Sequence, residues 1–188
     1  MVKRTQHLTR EDWILAGFRA LTIGGAGALR VEPVARALSA TKGSFYWHFA
    51  DPSDWRTGML AYWEDVAFHK IVADLQPTPP GLSRLQALVR MATTLGHDPL
   101  HGGVAAEPAL RDWARYAPDV AMAVRRVDAG RVAFVADCLQ AAIGSDQDIS
   151  LKARQFYAAY LGFQAMHGTP EDNATALLDL TVCLCRPK

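Results

Sequence analysis

One pattern constrains this chain more than any other: apolar residues recur at three- and four-residue spacing, and glycine or proline interrupts each run. That spacing lines one face of a helix, whereas a strand needs strict alternation, which no segment shows between turn signals. The chain is therefore expected to be all-α. Half of its 188 residues are hydrophobic, enough to fill a sizeable core and to argue against disorder.

Local chemistry predicts where the helices begin and end. The first starts at Thr9, which forms a T-x-x-D capping box with Asp12. It carries Ile14, Gly17, Phe18 and Leu21 on one face and stops in the Gly24–Gly27 run. A second, short helix fits Val31–Leu38, where Pro33 is acceptable because it falls in the first turn. Ser39-Ala40 makes a break, and Thr41 caps a third short helix through Trp47. Asp51-Pro52 pairs an N-cap with a first-turn proline and opens a long helix to about Leu75. After the proline-rich segment 76–81, five more helices are expected over 83–96, 104–115, 119–143, 149–167 and 171–185. About nine helices result, divided into an N-terminal three-helix unit at 1–50 and a larger helical domain at 51–188.

Net charge is +1 overall but unevenly spread. Residues 1–48 carry +4 and the remainder −3, which suits one end that faces a polyanion. Lys3, Arg4, His7, Arg10, Glu11 and Asp12 break any early apolar run, and no apolar span of membrane length follows. A soluble, cytoplasmic protein without membrane attachment is expected. Three cysteines, Cys138, Cys183 and Cys185, form no disulfide framework. His97 and His101 stand four apart, but Asp98-Pro99 and Gly102-Gly103 argue for loop histidines rather than a metal site. No nucleophile elbow, phosphate loop or zinc-protease motif occurs, so neither an enzyme nor a cofactor is expected.

Two short helices joined by a three- or four-residue turn, with a third across them, make a helix-turn-helix. Its second short helix enters the major groove. Here that helix reads Thr41-Lys42-Gly43-Ser44-Phe45-Tyr46-Trp47. Lys42 brings positive charge, Thr41 and Ser44 bring short hydroxyls, Gly43 permits close approach, and Tyr46 and His48 can donate to phosphates. Phe45 and Phe49 fit better as anchors.

The stretch Val34-Ala35-x-x-Leu38-x-x-Thr41-x-Gly43-Ser44-Phe45-Tyr46-x-His48-Phe49 resembles the DNA-binding signature of the tetracycline-repressor (TetR/AcrR) family. The likeness covers about residues 9–60. It implies a homodimer that binds double-stranded operator DNA and is released by a small effector. A repressor is the expected sense. The constitutive alternative has a C-terminal domain that only dimerises. By the same resemblance Lys42 and Tyr46 would contact phosphates. Thr41, Ser44 and Phe45 would lie at or beside base edges, with His48 near the backbone. Three positions depart from the pattern. Ser39 replaces the usual turn glycine, Arg30 replaces a capping Ser/Thr while adding a phosphate-reaching charge, and Pro52 replaces a lysine whose role falls to Arg56 or is lost.

The effector is expected to be apolar and to lie between the 51–75 and 149–167 helices, with Trp63, Trp113 and Tyr116 as candidate contacts. Dimerisation is expected through the 149–167 and 171–185 helices, using Phe156, Tyr160, Leu161 and Gln164 with Leu177, Leu178, Thr181 and Leu184.

Overall fold

The computed structural model describes residues 8–95, 106–144, 148–166 and 169–186. Among these residues every regular element is helical. They are α1 (Arg10–Gly24), α2 (Val31–Ala37), α3 (Lys42–Phe45), α4 (Pro52–Glu64), α5 (Lys70–Leu75), α6 (Leu82–Leu95), α7 (Ala106–Trp113), α8 (Pro118–Ile143), α9 (Ile149–Ala165) and α10 (Pro170–Leu184). A 3-10 turn at Ala26–Ala28 follows α1. The long helix expected over 51–75 is present as one helical run, but a π segment at Asp65–His69 divides it into α4 and α5. Counting that run once gives nine helices among the described residues, in line with the roughly nine expected.

The predicted caps form. Thr9 Oγ1 accepts from the Asp12 N–H at 3.2 Å, and Asp12 Oδ2 accepts from the Thr9 N–H at 2.7 Å. Those hydrogen bonds hold the Asp12 carboxyl below its ordinary pKa. Asp51 Oδ1 accepts from the Ser53 and Asp54 N–H groups at 2.7 and 2.9 Å and so caps α4. Arg30, by contrast, starts α2 with no side-chain cap.

The chain divides into two compact units. The first comprises the described parts of residues 1–63 and 98–121; the second, those of 64–97 and 122–188. This differs from a break at residue 50, because α4 down to Trp63 shares its buried face with α1. Trp13, Phe18, Phe45, Phe49, Trp55 and Met59 are all 2% exposed or less. The Trp55 indole N–H donates to the Trp13 carbonyl at 3.1 Å. Gly17 makes this packing possible: a Cβ there would stand 2.6 Å from Met59 Sδ and 2.7 Å from Trp55. α7 also packs on α1.

In the second unit the core is largely aliphatic. Leu85 and Val89 of α6 meet Val135, Cys138 and Leu139 of α8, Ala153 and Phe156 of α9, and Leu177 of α10. Phe68 of the π segment lies over Gly130 of α8, where a Cβ would stand 2.7 Å from the ring.

Candidate nucleic-acid interface

The turn between α2 and α3 is a Schellman motif. The Ala40 N–H reaches the Ala35 carbonyl at 2.8 Å and the Ser39 N–H reaches the Arg36 carbonyl at 3.0 Å. That geometry needs a left-handed residue, and Ser39 supplies it at φ 53°. The side chain is thus accommodated where glycine would be unstrained. Thr41 then caps α3, its Oγ1 accepting from the Ser44 N–H at 3.2 Å.

Phe45 fixes α3 from below. It is 0% exposed and meets Trp13, Phe49 and Trp55 at ring-centroid distances of 5.4, 5.1 and 5.6 Å. A ring enclosed in this way cannot also lie beside a base. Within the unit Phe45 is therefore an anchor of α3, as the residue pattern alone suggested. The other face is open. Arg30, Thr41, Lys42, Gly43 and Tyr46 are exposed, and Ser44 and His48 are half-buried. Around Gly43 a Cβ would meet only Thr41 Oγ1, at 3.7 Å, so no packing within the unit requires glycine there. The His48 carbonyl accepts from Arg10 Nη1 at 2.9 Å, while the Arg10 guanidinium lies 4.3 Å from the Phe49 ring centre. These contacts fasten the segment after α3 to α1.

Lys42 and Glu32 form an ion pair between α3 and α2, with Nζ and Oε1 2.6 Å apart. The pair raises the lysine pKa and lowers the glutamate pKa, chiefly through their mutual hydrogen bond. Arg56, offered as a substitute for the lysine missing at position 52, pairs with Asp119 at 3.3 Å. Trp47 was missed as a candidate. It is 88% exposed beside Tyr46, an exposure that helical spacing alone does not reveal.

The second unit holds a cavity of about 50 Å³ walled largely by hydrocarbon, and beside it a more polar recess of about 380 Å³ that shares Phe68, Val72 and Phe134. Phe68 and Ile71 from the π segment and α5, Leu88 from α6, Phe134 from α8, and Phe156 and Tyr160 from α9 line the cavity. Arg131 and Tyr157 are its polar members, and they belong to a network. Tyr157 donates its hydroxyl proton to Asp128 at 2.6 Å and accepts from Arg131 Nη1 at 3.2 Å. Arg131 Nε and Nη2 also reach the Ala67 carbonyl inside the π segment, at 3.2 and 3.1 Å.

No protein-family model matches the chain. No curated protein matches it either. Solved structures do. A Rhodococcus protein described as a TetR-family transcriptional regulator superposes with a TM-score of 0.78 at 22% identity, covering 94% of this chain and 99% of that one. A transcriptional regulator from Saccharomonospora viridis in complex with choline gives 0.74 at 19% identity, covering 90% and 93%. A TetR-family regulator from Mesorhizobium loti gives 0.69 at 16%, covering 96% and 97%. The chain has the TetR-family fold.

Within that TetR-family fold the predicted interface residues other than Phe45 cluster at α3 and the start of α2. The predicted effector contacts do not cluster. Trp63 and Trp113 are buried in the first unit, Tyr116 is 77% exposed, and none of the three lines the cavity. Aromatic side chains at helical spacing do not reveal which will pack and which will wall a void. Phe156, Leu177 and Thr181, expected at a subunit interface, are 4%, 1% and 0% exposed within the second unit. His97 and His101 lie outside the described residues. Among the described residues no group of three or more His, Cys, Asp or Glu side chains could hold a metal, and no helix is long and apolar enough to cross a membrane.

Proposed function

We propose that this protein is a dimeric TetR-family transcriptional regulator that holds operator DNA through α3 and is released by a small apolar effector. The observation that carries the proposal is the two-sided character of α3. Phe45 is sunk in an aromatic core, while Lys42, Thr41, Gly43 and Tyr46 present charge, hydroxyls and bare backbone outward. Helical glycine costs about 0.5–1 kcal/mol relative to alanine. Its use at Gly43, with open space around it, fits a position that an outside body must approach closely. Phosphate contacts from Lys42, Tyr46 and Arg30 would position the helix, and Thr41 and Ser44 would address base edges.

A second copy completes the reader, since two half-sites need two recognition helices. The outer faces of α9 and α10 suit that contact. Leu151, Ala158, Gly162 and Ala165 on α9 and Val182 on α10 are exposed, and Gly162 has open space around it. Sedimentation of the intact chain as a dimer is the corresponding expectation.

The effector site is the cavity of the second unit. Its polar members already satisfy one another, so a ligand there need supply little beyond hydrocarbon. The Saccharomonospora viridis relative is in complex with choline. Here the Arg131 guanidinium, 6.0 and 5.9 Å from the Tyr157 and Tyr160 ring centres, opposes a cation. An uncharged compact ligand fits better. At about 50 Å³ the cavity must expand to admit one. A ligand that selects an expanded form gains differential affinity between two states, which regulation requires. The smallness of this hydrocarbon-walled cavity is also what favours the second reading, a constitutive dimeric regulator.

The test begins with a duplex selected from a random-sequence pool. Lys42→Ala and Tyr46→Phe should each weaken its binding by roughly 1–2 kcal/mol. Uncharged aromatic compounds and choline are then titrated into the complex. Release by the former and not the latter is expected. Undiminished DNA binding by both variants would reject α3 as the reader, and absence of release by any compound would leave the constitutive reading.

A further inference from the structure

Lys42 is the cation on α3, and in the free protein it is already engaged. Its Nζ lies 2.6 Å from Glu32 Oε1, with both side chains 55% exposed. We infer that Glu32 is a built-in competitor for the phosphate that Lys42 contacts, an intramolecular brake that lowers DNA affinity. The inference rests on the DNA-binding reading above. A phosphate close enough to hydrogen-bond Lys42 must either displace the Glu32 carboxylate or accept it as a close neighbour. In both cases part of the favourable charge–charge interaction is cancelled.

Other groups near this edge do not take over the role of Glu32. Arg30, just before α2, and Arg36, on α2, are exposed and of the opposite sign. Glu32 also stands in the first turn of α2, where an acidic side chain favours the helix start, and Arg30 provides no cap there. A purely helix-stabilising role is therefore the competing explanation. The two separate cleanly: a brake acts on DNA affinity and its salt dependence through Lys42, whereas a helix-stabilising residue acts on thermal stability alone.

The experiment is a double-mutant cycle. Parent, Glu32→Gln, Lys42→Ala and the double variant are titrated against the selected duplex and a mixed-sequence duplex at several salt concentrations. Thermal unfolding is recorded alongside. An exposed ion pair of this kind corresponds to about a two- to fivefold change in affinity. Glu32→Gln should bind both duplexes that much more tightly, with a steeper salt dependence, and the gain should vanish without Lys42. If Gln prevents folding, Glu32→Asp shortens the arm, keeps the first-turn acid and should give a smaller gain of the same sign. A gain of equal size in the Lys42→Ala background would reduce Glu32 to general charge repulsion and overturn the inference. Unchanged affinity in Glu32→Gln, with Lys42→Ala still weakened, would overturn it while sparing the DNA-binding reading. If Lys42→Ala binds like the parent, the inference fails, and the DNA-binding reading fails with it when Tyr46→Phe also binds like the parent.

Discussion

In the first unit Phe45 meets Trp13, Phe49 and Trp55 at centroid distances between 5.1 and 5.6 Å, and Gly17 lacks room for a single methyl. In the second, α6, α8, α9 and α10 share a largely aliphatic core, and Phe68, Phe134, Phe156 and Tyr160 help to line a cavity of about 50 Å³. The contrast fits a division of labour. A surface that presents a few side chains to a rigid partner needs a foundation with little freedom, because each misplaced donor weakens recognition. A domain that changes shape needs space that can be redistributed. Interlocked packing leaves little such space, whereas a core that keeps a cavity retains it.

The largest test of this contrast is Phe45→Ala. Removing a fully buried ring should destabilise the first unit by about 3–5 kcal/mol, measured by denaturant unfolding. A loss below 1 kcal/mol would mean that α3 does not depend on that anchor. Next come two side-chain enlargements that should act in opposite directions. Gly17→Ala forces its Cβ toward Trp55 and Met59 and should cost about 1–3 kcal/mol. Ala92→Val adds volume at the cavity wall and should leave stability unchanged or raise it by up to about 1 kcal/mol. Equal penalties for both would erase the distinction between the units. The smallest expected effect is at the α2–α3 turn. Ser39→Gly removes a side chain from a left-handed residue and should raise the unfolding free energy by about 1 kcal/mol. A loss there would show that Ser39 is held by more than its backbone.

Much of the fold was legible because it is written in short-range chemistry. Thr9 with Asp12, Thr41, and Asp51 with Pro52 announce helix starts through hydrogen bonds spanning two or three residues, and those bonds are present. The left-handed turn at Ser39 was legible through the family resemblance, which has a turn glycine at that position. What sequence could not show depends on partners distant in the chain. The pairing of Arg56 with Asp119 diverts a charge that local reading left available. The burial of Phe45 is set by Trp13 and Trp55 rather than by its neighbours on α3. The π segment at Asp65–His69 carries no glycine or proline to mark it; its Ala67 carbonyl is met by Arg131, 64 residues away. The cavity follows from such long-range geometry, which is why Trp63, Trp113 and Tyr116 were reasonable picks by composition yet stand elsewhere.

The tryptophans carry a consequence for spectroscopy. Trp13, Trp55, Trp63 and Trp113 are 0%, 2%, 4% and 6% exposed, whereas Trp47, two residues beyond α3, is 88% exposed. The intrinsic fluorescence of the chain therefore divides into four shielded emitters and one that faces water. A dissolved quencher such as iodide reaches Trp47 long before the others, and anything that settles over α3 excludes the quencher from it. The quenchable fraction of the emission thus reads out occupancy of this face directly, on unlabelled protein, while the shielded fraction reports whether the aromatic core beneath has stayed intact.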